Sequence, residues 1–82
     1  MREIEWTETA LEEMAALDKS IARRVKQAVE RLANTGAGNL KKLQGVDPPE
    51  YRLRVGNYRV RFYLEGKTIQ VLRVRNRREA YR

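Results

Sequence analysis

The sequence contains neither cysteine nor histidine. Without cysteine, no disulfide can staple the fold and no thiolate can act as a nucleophile. Because these two residue types are also the usual ligands of transition metals, we expect no metal site and no Ser-His-Asp triad. Long apolar runs are missing as well, which excludes a signal peptide and a membrane span, so we predict a cytoplasmic protein without membrane contact.

Negative charge is scarce in the second part of the chain. The 82 residues, which we interpret as one domain spanning 1–82, carry a net charge of +7. Residues 1–38 have a balance of −1, whereas residues 39–82 have a balance of +8. Solubility requires only mixed charge, but binding a polyanion requires clustered cations that displace counterions from phosphates. The charge distribution therefore predicts a nucleic-acid partner.

The first part of the chain predicts one strand and two helices. Residues 2–6 alternate polar and apolar side chains, which is typical of a strand. Thr7 is the expected N-cap of a helix that runs to about Leu17, and Asp18 is the expected cap of a second helix over residues 19–33. We expect the buried stripe of the first helix to be Leu11, Met14 and Ala15.

After a long connection over residues 37–50, the hydrophobic period changes to two. Three strands are predicted, over residues 51–55, 58–64 and 67–74. The alternation slips between Val71 and Leu72, which indicates a β-bulge. The predicted fold class is α+β with the order β-α-α-β-β-β, in which a helical hairpin packs on one face of a mainly antiparallel four-stranded sheet.

The two-residue turn Gly56-Asn57 predicts a cluster of arginines. If it joins its strands tightly, arginines that lie opposite each other project from the face away from the helices. The expected pairs are Arg54 with Arg59 and Arg52 with Arg61. With the first strand beginning at residue 51, neither strand is expected to place an acid on that face. Opposed guanidiniums repel each other, and a bound phosphate would relieve the repulsion.

The last strand is expected to extend this cluster. Beyond the predicted bulge, the alternation places Arg73, Arg75 and Arg77 on the arginine-bearing side of the sheet. The C-terminal residues then bring Tyr81 close to the same cations.

These residues carry a resemblance to a known family. Residues 51–63 (YRLRVGNYRVRFY) and 71–82 (VLRVRNRREAYR) resemble the C-terminal half of the RelE branch of the RelE/ParE toxins. Residues 40–45 (LKKLQG) also match a typical stretch of that family, and a helical hairpin after a short strand is its usual first half.

The resemblance implies a ribosome-dependent mRNA endonuclease of a type II toxin–antitoxin system, which inhibits translation. In that family the ribose 2′-hydroxyl attacks the phosphate and leaves a 2′,3′-cyclic phosphate, so no metal or other cofactor is needed. The implied partners are the ribosome, mRNA and a RelB-like antitoxin, with operator DNA bound only by the toxin–antitoxin complex.

The family's functional positions carry over one at a time. Arg52 and Arg54 match two basic positions on the first hairpin strand, and Arg59 matches the arginine of a Gly-x-Tyr-Arg-like stretch. Arg77 matches the basic residue after the last strand, and Tyr81 matches the C-terminal tyrosine. We assign Arg52, Arg54 and Arg59 to a phosphate clamp and Arg77 to the leaving oxygen. Further RNA-binding candidates are Lys41, Lys42, Arg61, Arg73, Arg75 and Arg78.

The identity of the general base stays open at this point. Positions 52 and 54 are often lysine in the family, and arginine cannot give up its proton at neutral pH. Tyr81 is a candidate, because surrounding guanidiniums favour the phenolate, but its ring is equally suited to stacking on a base of the RNA. Glu50, beside the first arginine strand, is a weaker candidate.

Two other functions fit the same composition. One is a ParE-like toxin that inhibits DNA gyrase and cuts nothing, because that branch shares the fold. The other is a nucleic-acid-binding module without catalytic activity, in which Tyr81 would be dispensable.

Overall fold

The computed structural model describes residues 2–43, 45 and 49–76, which form two helices and five strands. The elements in chain order are β1 (Glu3–Trp6), α1 (Glu8–Ala15), α2 (Lys19–Thr35), β2 (Asn39–Lys42), β3 (Glu50–Val55), β4 (Tyr58–Glu65) and β5 (Thr68–Asn76). Among these residues, no helix combines the length and the hydropathy needed to cross a membrane.

The five strands form one sheet in the order β1-β5-β4-β3-β2. β1 pairs with β5 in parallel, and every other neighbouring pair is antiparallel. The predicted α+β class and helical hairpin are confirmed, but the predicted strand number is wrong. Residues 39–42, which we assigned to a connection, form the edge strand β2. All four are exposed, and an exposed edge strand does not need the apolar alternation by which strands are recognised.

The core lies between α2 and one face of the sheet. The stripe Val25, Val29 and Leu32 of α2 is buried, as its spacing predicts, against apolar side chains of the central strands. The buried sheet residues are Leu53, Val60, Phe62, Ile69, Val71 and Val74. Because this face takes the apolar side chains, the polar side chains of the same strands project from the opposite face.

Helix α1 is rotated relative to its predicted orientation. We expected Leu11 and Ala15 to be buried, but Leu11 is 55% exposed and Ala15 is exposed too. The fully buried residue is Ala10, because α1 lies along β5 and a small side chain permits the close approach. Met14 is half-buried and packs against the core, as predicted.

Thr7 connects the start of α1 to β5. Its side-chain oxygen accepts a hydrogen bond from the Ala10 amide at 3.2 Å, which confirms the predicted N-cap. The same hydroxyl donates to the carbonyls of Val71, at 2.9 Å, and Leu72, at 3.2 Å. The pairing of β1 with β5 ends at Val71. Thr7 therefore supplies a hydrogen-bond donor to the β5 carbonyls at the point where β1 ends.

We predict that Thr7→Ala lowers the free energy of unfolding by about 1–2 kcal/mol, because the helix loses its cap and the β5 carbonyls lose a donor. Thr7→Ser keeps the hydroxyl and is the matched control, expected to cost less than half as much. Urea denaturation monitored by circular dichroism measures both variants. Equal losses would mean that the methyl group, and not the hydroxyl, stabilises this junction.

Candidate nucleic-acid interface

The sheet face opposite the helices carries most of the basic side chains of the strands. Two rows of directly paired residues cross it from β2 to β5. One row is Lys41, Arg52, Arg61 and Arg73, and the other is Asn39, Arg54, Arg59 and Arg75. Residues paired across strands project to the same side, so the described part of the chain gathers seven cations here, which we call the arginine face. The predicted pairing of Arg52 with Arg61 and of Arg54 with Arg59 is confirmed.

The predicted bulge in β5 determines which residues of that strand reach the arginine face. Phe62 pairs with Val71, while the preceding Arg61 pairs with Arg73, so Leu72 is the extra residue. An extra residue in a strand reverses which side chains face each side of the sheet beyond it. The bulge therefore places Arg73 on the arginine face and buries Val74 in the core.

Glu50 lies on the arginine face, contrary to our expectation that neither hairpin strand contributes an acid there. β3 begins one residue earlier than predicted, and the alternation through residues 50, 52 and 54 gives Glu50 the same orientation as the arginines. Its side chain is 6% exposed and accepts a hydrogen bond from Arg61 Nε at 2.6 Å, while Arg61 Nη2 contacts the same oxygen. One oxygen of this buried carboxylate is therefore committed to Arg61.

A second carboxylate reaches the arginine face from helix α1, and nothing in the sequence pattern predicts it. Glu13 accepts two hydrogen bonds from Arg73, at 3.1 Å from Nε and 3.2 Å from Nη2. Its Oε2 atom lies 3.9 Å from Nε of Arg75, an ion-pair distance. The hydrogen bond to Glu13 and the negative charge of Glu13 raise the pKa of Arg73 above the usual value of an arginine.

A cleft of about 140 Å³ opens within the arginine face. Leu43 and four arginines line it, namely Arg52, Arg59, Arg61 and Arg75. Arg59 is buried there, with 6% of its surface exposed. Guanidinium groups around a small cleft match the oxygens of a phosphate group, because each offers paired donors in a planar fork. The cleft is therefore suited to binding an oxyanion of RNA or DNA.

The structure brings together most, but not all, of the candidate residues. The hairpin arginines, Arg73, Arg75 and Lys41 lie on the arginine face. Lys42 alternates to the other face of β2, opposite Tyr51. Arg77, Arg78 and Tyr81 lie outside the described residues, so their predicted roles stay predictions.

Comparison with known proteins finds relatives that span nearly the whole chain. The family model described as the ParE toxin of the type II toxin–antitoxin system parDE matches residues 4–81. The toxin RelE3 of Methanocaldococcus jannaschii is 31% identical, with the alignment covering 93% of this chain and 91% of the relative.

Solved structures agree with these sequence relatives. The toxin–antitoxin complex RelB-RelE of Methanococcus jannaschii contains a chain with 28% identity and a TM-score of 0.78, with 94% of each chain covered. The isolated RelE toxin of E. coli shares the fold at 20% identity with a TM-score of 0.77, covering 99% of this chain and 96% of its own.

We predict that Arg61→Ala lowers the free energy of unfolding by about 2–3 kcal/mol, because the buried carboxylate of Glu50 is left without its cation. Arg54→Ala removes an exposed arginine of the same face, whose Nε makes a long 3.5 Å hydrogen bond to the Gly56 carbonyl, and should change stability by less than about 0.5 kcal/mol. Chemical denaturation of both variants checks this. A similar loss in both would show that the Glu50–Arg61 pair adds no stability.

Proposed function

The chain belongs to the RelE/ParE family of toxins of type II toxin–antitoxin systems, and from this premise we propose that it is a ribosome-dependent, metal-independent mRNA endonuclease that inhibits translation. The arginine face is the observation that carries the proposal. Seven cations on one face of a sheet are favourable chiefly when a polyanion lies over them. Its cleft, lined by four arginines, offers a site for one phosphate of the message.

In the proposed reaction the ribose supplies the nucleophile. The 2′-oxygen attacks the adjacent phosphorus as a base removes its proton, and the bond to the 5′-oxygen breaks. The leaving 5′-oxygen takes up a proton from water, which gives a 2′,3′-cyclic phosphate and a 5′-hydroxyl. Arg52, Arg54 and Arg59 hold the phosphate and stabilise the charge that develops on its oxygens. Arg77 is the proposed partner of the leaving 5′-oxygen.

Tyr81 is the best candidate for the base, or for a platform on which a base of the RNA stacks. Arg52 and Arg54 cannot accept a proton at neutral pH, because arginine remains protonated there. Glu50, the other candidate, is buried and holds Arg61, and a carboxylate in that position is poorly placed to reach a ribose.

An RelB-like antitoxin is the proposed protein partner. Chains that share this fold are seen with RelB antitoxins in the complexes from Methanococcus jannaschii and Pyrococcus horikoshii. Antitoxins of such systems must block the toxin's site or access to it, and a cationic face favours an acidic or extended segment.

Inhibition of DNA gyrase is the second candidate function. The matching family model is described as the ParE toxin of parDE, whereas the curated relative is a RelE toxin. The fold is common to both, so the reaction must be tested directly.

We predict that the purified protein cuts translated messages at discrete codons in an in vitro translation reaction, as read by primer extension. Arg77→Ala should lower cleavage at least about 100-fold, because it removes a group proposed to act in the transition state. Tyr81→Phe should have the same effect if the phenol is the base, and should cut nearly as well as the wild type if the ring only stacks on the RNA. Tyr58→Phe is the matched control and should cut within about twofold of the wild type, since Tyr58 packs against the core on the other face. An intact message together with lost gyrase supercoiling would favour the second candidate.

We also predict that two adjacent lysines differ in their contribution to RNA binding. Lys41→Gln should lower the slope of log affinity against log salt by about 0.7, the value for one phosphate contact on a single strand. Lys42→Gln removes the same charge from the opposite face of β2 and should leave the slope unchanged. Fluorescence anisotropy with a single-stranded RNA at several salt concentrations measures both. An equal effect of the two variants would contradict binding on the arginine face.

A further inference from the structure

Glu13 occupies the part of the β5 edge that β1 does not reach. The register of β1 along β5 runs from Thr68 to Val71. Beyond that point, α1 supplies side chains to the strand. Glu13 Oε1 accepts a hydrogen bond from the Val74 amide at 2.9 Å, so one carboxylate takes the position that a neighbouring strand would otherwise fill.

The carboxylate of Glu13 also contacts two side chains of the arginine face, Arg73 and Arg75. Arg73 donates to both of its oxygens, in a side-on arrangement that fixes the guanidinium plane, and Arg75 lies within ion-pair distance. The side chain of Glu13 is 21% exposed, and those of Arg73 and Arg75 are 40% and 37% exposed. Both arginines therefore remain open to a ligand while Glu13 holds them.

The stability gained from ion pairing does not account for the contacts of Glu13 with two arginines. Ion pairs between partly exposed groups add little to stability, because water screens the two charges. Arg73 and Arg75 are opposite Arg61 and Arg59, and like-charge repulsion across β4 and β5 drives their side chains apart. The carboxylate of Glu13 opposes that motion. It also lowers the net positive charge of a surface suited to anions by one unit.

We propose that Glu13 is a positioning residue of the arginine face, which holds Arg73 and Arg75 in the geometry required by the phosphate at the transition state. The inference rests on the proposed function, because it concerns the same reaction. It predicts opposite effects on binding and on turnover. Removing the charge of Glu13 should tighten RNA binding, since the face becomes more positive, and should slow cleavage, since two arginines are no longer fixed.

The test compares Glu13→Gln with Glu12→Gln, which changes the net charge equally on the neighbouring, exposed residue of α1. For Glu13→Gln we expect about threefold tighter binding of a single-stranded RNA, measured by anisotropy, and about tenfold slower single-turnover cleavage on programmed ribosomes. Glu12→Gln should match the wild type in cleavage. Equal effects of the two variants on cleavage would overturn the inference, because they would reflect net charge alone.

A second readout separates this inference from the proposed function. The Arg73 Nε–Hε resonance should exchange with solvent at least about tenfold faster in Glu13→Gln than in the wild type, because its acceptor loses its charge. If the wild type binds RNA without cutting it, the proposed function fails, and this exchange rate still decides whether Glu13 fixes Arg73. Unchanged exchange would overturn the inference whatever the wild type does to RNA.

A double-mutant cycle tests whether Glu13 acts through Arg73. Arg73→Gln removes the guanidinium and keeps the helix intact. If Glu13 acts through Arg73, the cleavage defect of the double variant should be smaller than the two single defects combined. Fully additive losses would show that Glu13 acts independently of Arg73 and would overturn the inference.

Discussion

Repulsion among cations on one face of the sheet is the constraint around which this structure is arranged. Cross-strand neighbours lie about 5 Å apart at their Cβ atoms, so paired arginines cannot avoid each other. The apolar core on the other face fixes the strands and prevents the pairs from separating by a change of register. Two carboxylates, Glu50 from β3 and Glu13 from α1, then offset part of the charge at two different points of the face.

The two carboxylates differ in how they are held, and so in what they do. Glu50 is buried and belongs to the same sheet as its partner Arg61, so their pair is part of the packing. Glu13 comes from a helix and contacts both the backbone and the side chains of β5. The orientation of α1 thereby becomes part of the geometry of the candidate site, although the helix lies mostly outside it.

The sequence alone was sufficient for the hairpin and its arginines, because local rules govern both. A two-residue turn fixes the register of the strands it joins, and a slip in alternation reveals the bulge at Leu72.

The strand β2 was missed because exposed edge strands lack an apolar alternation. The place of Glu50 on the arginine face was not predicted, because the expected strand began one residue too late, although the spacing of Glu50 from Arg52 contained the signal. Glu13 lies 60 positions from Arg73, and no local pattern connects two side chains that meet only through tertiary structure.

The parallel pairing of β1 with β5 has a consequence for the order in which the molecule is built. Thr7 and the Val71 carbonyl that it contacts are 64 positions apart, so the pairing has a high contact order. During synthesis, β1 and the start of α1 emerge long before the strand that completes their hydrogen bonds. Arg73 and Arg75 arrive with that last strand. Among the described residues, the arginine face is therefore complete only when β5 pairs with β4, after the strands β1 to β4 have all been synthesised.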